Sequence, residues 1–335
     1  MTNTLFYRLS LAATGLALCV IVLGAYVRLS DAGLGCPDWP GCYGQILAPT
    51  AEHDVHQANQ AFPHRPVESH KAWKEMAHRY LASALGFIIL ILAFLAIKNR
   101  HQPNQALWLP LALVLVVCFQ GALGMWTVTL LLKPAIVTLH LLGGMLTLAL
   151  LSWLTFSQKL TKDQRIITTS LTKNWAIFAL IILFLQISLG GWTSTNYVAL
   201  HCYDLPTCQG EWLPPTDFKE GFTIWRELGV DYEGGVLSVE AGTAVHLAHR
   251  MGAIITLLVL GLLAWLLLQI KQPLSKRLAI ILALVLAIQI TLGLLNIILV
   301  LPLVIAVAHN GVAALLLISL VAINRVLIKA KDNAV

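Results

Sequence analysis

Glu75-Met-Ala-His78-Arg79-Tyr80 and His246-Leu-Ala-His249-Arg250-Met251 spell nearly the same thing 171 residues apart. Each opens a long apolar segment, Leu81 to Ile97 and Gly252 to Ile270. His140 follows His78 by 62 residues and His309 follows His249 by 60, both inside further apolar segments. An ionisable side chain inside a membrane helix is costly, and by default it marks a functional site. Two histidine pairs in register therefore predict two buried sites, each held by two imidazoles from different helices. Haem is the natural occupant, because its iron takes axial imidazole readily.

The rest of the chain suits a bilayer. Of 335 residues, 58% are hydrophobic and only 11% charged, and the mean hydropathy is +0.78. A spanning helix needs about 20 mostly apolar residues. Eight runs qualify: 8–28, 73–97, 106–130, 135–157, 174–194, 242–269, 276–299 and 302–325. They are continuous rather than alternating, which favours helices over a barrel. The predicted fold is an all-α integral membrane protein. The first run is long and lacks a small-residue cleavage site, so it reads as a retained helix, and with only Arg8 basic ahead of it nothing there looks like a transit sequence.

Charge sets the expected orientation. The amino terminus, the loops 98–105, 158–173 and 270–275 with Lys276 and Arg277, and the carboxy terminus hold 13 Lys/Arg and two acids, Asp163 and Asp332. The opposite side holds 9 Lys/Arg and 14 acids. Basic loops stay inside, so both termini are expected in the cytoplasm, as in a bacterial inner-membrane protein. The net charge of +6 thus reflects topology, and no nucleic-acid partner is implied. Lipid is the medium.

The chain divides into a four-helix half at 1–157, a cytoplasmic linker at 158–173 and a second four-helix half at 174–335. Gly24, Cys36 and Cys42 match Gly190, Cys202 and Cys208 at a shift of 166, and Gln120 and Gly124 match Gln289 and Gly293 at 169. Each half crosses the membrane an even number of times, so the two are read as parallel repeats. All four histidines then lie about 9–12 Å below the outer ends of their helices. Arg79 and Arg250 are placed to meet haem propionates through charge-assisted bonds. Glu75 shares a helix face with His78, whereas the second half has His246 there; a carboxylate at one site alone points to chemistry in the first half. His246 remains an alternative ligand to His249. Cys36/Cys42 and Cys202/Cys208 lie in the outer loops, where disulfides form, as staples or as a dithiol relay. Cys19 and Cys118 read as packing residues, and His53, His56, His64 and His70 as solvated loop residues.

The run Gly24-Ala-Tyr-Val-Arg28-Leu-Ser-Asp-Ala-Gly33-Leu-Gly-Cys36-Pro-Asp38-Trp39-Pro-Gly-Cys42-Tyr-Gly44 resembles the signature of the haem A synthase family, and Glu75-x-x-His78-Arg79 with His140, His249 and His309 fits the same pattern. The resemblance implies oxidation of the C8 methyl of haem O to a formyl group, with water as oxygen source. It also implies a haem b cofactor on His249 and His309, with Arg250, in the second half. Haem O as substrate would sit at His78 and His140, with Arg79, in the first. Glu75, Cys36 and Cys42 become the candidate catalytic residues. Haem O synthase and terminal-oxidase assembly factors are the implied partners, and a homo-oligomer is left open. Two rival classes share the pattern in part: a non-catalytic dihaem b electron carrier, which usually places its haems at both membrane levels, and a parallel-repeat transporter, which needs broken helices.

Overall fold

Each apolar run becomes one helix. A computed structural model describes residues 4–102, 105–159, 167–328 and 331–332. Its long helices are α1 (Thr4–Leu29), α3 (Ser69–Lys98), α4 (Trp108–Thr129), α5 (Pro134–Lys159), α6 (Ser170–Thr195), α8 (Val239–Gln269), α9 (Pro273–Ile298) and α10 (Leu303–Ile328). All eight are long and apolar enough to cross a membrane. Two short helices, α2 (Glu52–Ala61) and α7 (Phe218–Gly221), lie in the two long loops. Ile167–Thr168 and Lys331–Asp332 pair as two-residue parallel strands. Residues 160–166, the middle of the expected linker, lie outside the described residues, Asp163 among them.

Most helices start up to four residues before the apolar pattern does, and at α6 and α8 a polar cap satisfies a free amide of the first turn. Thr169 accepts from the amide of Thr172 at α6, and Ser238 from that of Ala241 at α8. Pro273 opens α9, where a missing N–H costs nothing.

α1, α3, α4 and α5 pack as one group and α6, α8, α9 and α10 as another, joined along α1, α5, α6 and α10. The shared core mixes small and branched residues, among them Ala13, Ala17, Leu148, Leu151, Ala176, Leu317 and Leu320. Leu90, Phe94, Leu115, Leu258 and Leu284 face outward instead. Cys19 and Cys118 also face outward, so they are not the packing residues that their apolar neighbours predict. Hydrogen bonds tie the groups where hydrocarbon offers no competing partner: Thr138 to Thr195 at 3.0 Å, Arg28 to the Ser194 carbonyl at 2.8 Å, and Arg325 to Ser157 at 2.7 Å.

Irregular backbone recurs in step with the sequence. Asp31 and Tyr197, and Tyr43 and Gln209, are left-handed at the shift of 166; Leu131-Leu132 and Val300-Leu301 are so at 169. In the α4–α5 and α9–α10 reversals, the amides of Leu132 and Leu301 reach back to the carbonyls of Thr127 and Asn296 at 2.9 and 2.7 Å. Those bonds close the helix ends without the glycine that usually does so.

Candidate functional site

Each of the four histidine rings rests on a glycine of the neighbouring helix. A Cβ on Gly24 of α1 would lie 2.9 Å from Cε1 of His78 in α3, and one on Gly190 of α6 would lie 3.1 Å from that of His249 in α8. Gly293 of α9 stands 3.1 Å from His309 in the same sense, and Gly124 of α4 stands 3.5 Å from His140. The glycines that register between the halves are therefore ring seats, and at three of them a side chain would push the imidazole away.

The rings of His78 and His140 lie 6.4 Å apart between centroids, at 82°. Two metal–imidazole bonds of about 2 Å each, together with the two half-rings, span about this separation. His249 and His309 lie within electrostatic reach of each other. Among the described residues no three His, Cys, Asp or Glu side chains converge as a metal cage. Paired imidazoles suit a metal that brings its own equatorial ligands, as haem iron does. The Nδ1 atoms of His78, His140 and His309 are buried without a hydrogen bond of full geometry. The backbone groups facing these rings belong to Val20, Gln120 and Gln289. A backbone carbonyl is a common orienting partner for a ligating imidazole.

Three glutamines brace the histidines, at the backbone or the ring, a role that sequence reasoning misses. Gln120 donates to the His140 carbonyl at 2.9 Å, and Gln186 to that of His249 at 3.0 Å. The amide nitrogens of Gln186 and Gln289 also face ring nitrogens of His249 and His309, at 3.1 and 3.3 Å. Each glutamine stands one turn before its ring-seat glycine, and that spacing is the signal available in the sequence. Val20 takes the fourth such position, so the first pair has one glutamine and the second has two.

Glu75 is buried and fully engaged. One carboxylate oxygen accepts from the Cys36 amide at 2.9 Å and the other from Arg79 at 2.5 Å. His246 does the matching work in the second half, where its Nδ1 accepts from the Cys202 amide at 3.0 Å. That contact commits His246 to the loop and leaves His249 as the ring paired with His309. Arg79 also donates to the carbonyls of Asp38, Pro40 and Gly41, and Arg250 to those of Cys202, Asp204 and Thr207. In each His-Arg pair the imidazole turns inward while the guanidinium fastens the outer loop. The arginine donors that sequence reasoning assigns to propionates are here spent largely on loop carbonyls.

Both loops are closed by disulfides, Cys36–Cys42 and Cys202–Cys208. Inside each, an aspartate two residues after the first cysteine clamps a turn. Asp38 accepts from the amides of Tyr43 and Gly44 at 2.6 and 2.7 Å, and Asp204 from those of Gln209 and Gly210 at 2.6 and 2.9 Å. Cys36, Cys42 and Tyr43 pack with Ala72 and Met76 of α3, so the first disulfide lies against the helix that carries Glu75 and His78.

The family model for the cytochrome oxidase assembly proteins COX15-CtaA matches residues 7–321. A "Heme A synthase" of Shewanella oneidensis is 47% identical over 328 residues, 97% of this chain and 96% of that protein. One of Caulobacter vibrioides is 26% identical over 318 residues, 89% of each. One of Shouchella clausii is 26% identical over 256 residues, 74% of this chain and 71% of its own.

Proposed function

The chain belongs to the COX15-CtaA family of cytochrome oxidase assembly proteins, and on that premise we infer that it is a haem A synthase, a multi-pass membrane enzyme that converts haem O to haem A. The observation that carries the site reading is the doubling of the glycine-seated histidine pair, with Glu75 at one copy and His246 at the other. The two halves, 1–157 and 174–335, act as parallel repeats with divided labour. His249 and His309, steadied by Gln186 and Gln289, hold a resident haem b. When bound, haem b supplies one-electron transfer. His78 and His140 hold haem O, whose C8 methyl is oxidised to a formyl group with oxygen from water, a change that gives up four electrons to an external acceptor and four protons to the site's bases and solvent.

The protein's own part is to bind, orient and move protons. The rings set the depth of the substrate between α3 and α5. Glu75, which accepts from the Arg79 guanidinium and the Cys36 amide, is the proton acceptor nearest the first pair in sequence and the link between that site and the disulfide. A carboxyl group preorganised by those bonds is also placed to stabilise positive charge that develops as the methyl is oxidised. Cys36–Cys42 is placed to exchange electrons with an outer partner. Both termini and the 158–173 linker lie in the cytoplasm of a bacterial cell, with the disulfide loops outside. Haem O synthase supplies the substrate and oxidase assembly factors take the product.

Co-expression with a haem O synthase, followed by chromatography of the extracted haems, tests this reading. Wild type should yield haem A. His249→Ala or His309→Ala should lose the resident haem B, whereas His78→Ala or His140→Ala should keep haem B and yield no haem A. Haem B with no haem A in wild type would instead indicate an electron carrier. Equal loss of the same haem in all four variants would refute the divided halves.

A further inference from the structure

At the outer start of α5 stands a cation with no counter-charge. Lys133 is 1% exposed. Its ammonium lies 3.6 Å from the ring centroid of Trp225 and makes no hydrogen bond. Among the described residues no carboxylate pairs with it: Glu233 and Asp231 are taken by Arg65, and Glu220 by Ser238. Removing an ammonium from water without an anion is expensive, and a cation–π contact offsets only part of the cost. The cover is thin, since Trp225 is itself 65% exposed on the second outer loop.

The position of this cation matters. Lys133 precedes His140 by seven residues, two helical turns on nearly the same face, which puts it about 10 Å outward of the imidazole. That distance is comparable to the reach from the centre of a porphyrin to its propionate carboxylates. The corresponding place before His309 holds Pro302, so the feature belongs to the first pair alone. Other cations of this half are engaged: Arg79 on loop carbonyls and Glu75, and Arg28 on the Ser194 carbonyl and the face of Tyr197.

We propose that Lys133 is the carboxylate seat of the first site, receiving a propionate of the porphyrin held between His78 and His140 while Trp225 gives up its place on the ammonium. This rests on the reading of the first half as the substrate site. A charge-assisted contact formed on arrival exchanges a quadrupole for a full negative charge, so the seat selects tetrapyrroles with free carboxylates. It fixes which edge of the ring points outward, and with it which edge carries the methyl to the reaction side.

The test is equilibrium binding of ferric haem and of its dimethyl ester to the full-length protein in nanodiscs, with the resident haem in place. Lys133→Met should weaken binding of the free acid by about tenfold or more, as expected for losing one hydrogen bond to a charged group. It should leave ester binding and the resident haem spectrum unchanged, and Lys133→Arg should restore the preference. Equal affinity of Lys133→Met and wild type for the free acid would overturn the proposal, as would equal weakening for both ligands, since the lysine would then only anchor Trp225. Should Lys133→Met fail to fold, Trp225→Ala serves: it exposes the ammonium and must keep or increase the preference for free acid over ester. Loss of that preference would overturn the proposal. A His78→Ala control that binds free acid like wild type would sink the first-site reading itself, and the seat with it.

Discussion

Glu75 and His246 are different side chains performing one mechanical task, the fastening of the first cysteine amide of each outer loop. That equivalence gives a cleaner dissection than removal of the charge alone. Glu75→His should reproduce the second half's solution, an imidazole nitrogen accepting from the Cys36 amide, and so keep the loop, the disulfide and both histidine pairs. What it loses is the carboxylate. Haem A output, read by chromatography, should fall by roughly one to three orders of magnitude, the range for losing one acid–base or electrostatic group. Full output from Glu75→His would reduce Glu75 to a loop anchor. The sequence makes the Glu/His exchange visible and leads to a chemical reading of it. The mechanical role stays hidden there, because the donor is a backbone amide 39 residues away that no side-chain pattern announces. The two arginines are misleading for the same reason: their partners are carbonyls of a folded loop.

Helices and loops differ in what their residues disclose. The eight spans are readable because a bilayer imposes both a length and a composition on them. The histidine pairs are readable because an ionisable group in such a span stands out. Helix starts extend beyond the apolar run where Thr169 and Ser238 act as caps, a local signal present in the sequence but subordinate to hydropathy. The outer loops are held by contacts that repeat only when the two halves are laid side by side, notably the aspartate two residues after each first cysteine. Asp204 shows how firmly that clamp holds. The Thr207 hydroxyl, helped by the amides of Gly210 and Gln209 and opposed by desolvation, keeps its carboxyl down at about pKa 2. An unfolded aspartate titrates near pH 4, so the clamp contributes fully above about that pH and is lost as pH falls toward 2. Thr207→Val should raise the Asp204 pKa and move loop opening to higher pH. Pepsin nicking of the second loop between pH 4 and 2 reads this directly, and coincident curves for variant and wild type would remove Thr207 from the clamp.

At the scale of the molecule, glycine-seated histidines recur in both halves, and three matched positions around them differ: Val20 for Gln186, Glu75 for His246, and Lys133 for Pro302. In the proposed division the second pair, flanked by Gln186 and Gln289 and with His246 where the first half has Glu75, takes the permanent haem. In the same division the first pair, with a carboxylate and an unpaired cation both on its loop side, takes a visitor that is altered and released. This division requires the outer loops to face an oxidising compartment, since both disulfides lie in them. The charge split, 13 basic and 2 acidic residues on one side against 9 and 14 on the other, predicts that they do. A membrane-impermeant maleimide should therefore label Glu227→Cys in intact cells but reach Lys271→Cys only after lysis, in a background with Cys19 and Cys118 replaced by alanine. Both positions are exposed, so accessibility is decided by the side of the membrane and not by burial. The reverse pattern would place Cys36–Cys42 and Cys202–Cys208 in a reducing cytoplasm. The electron route through the first loop would then have no oxidant to drive it, whatever the chemistry at Glu75.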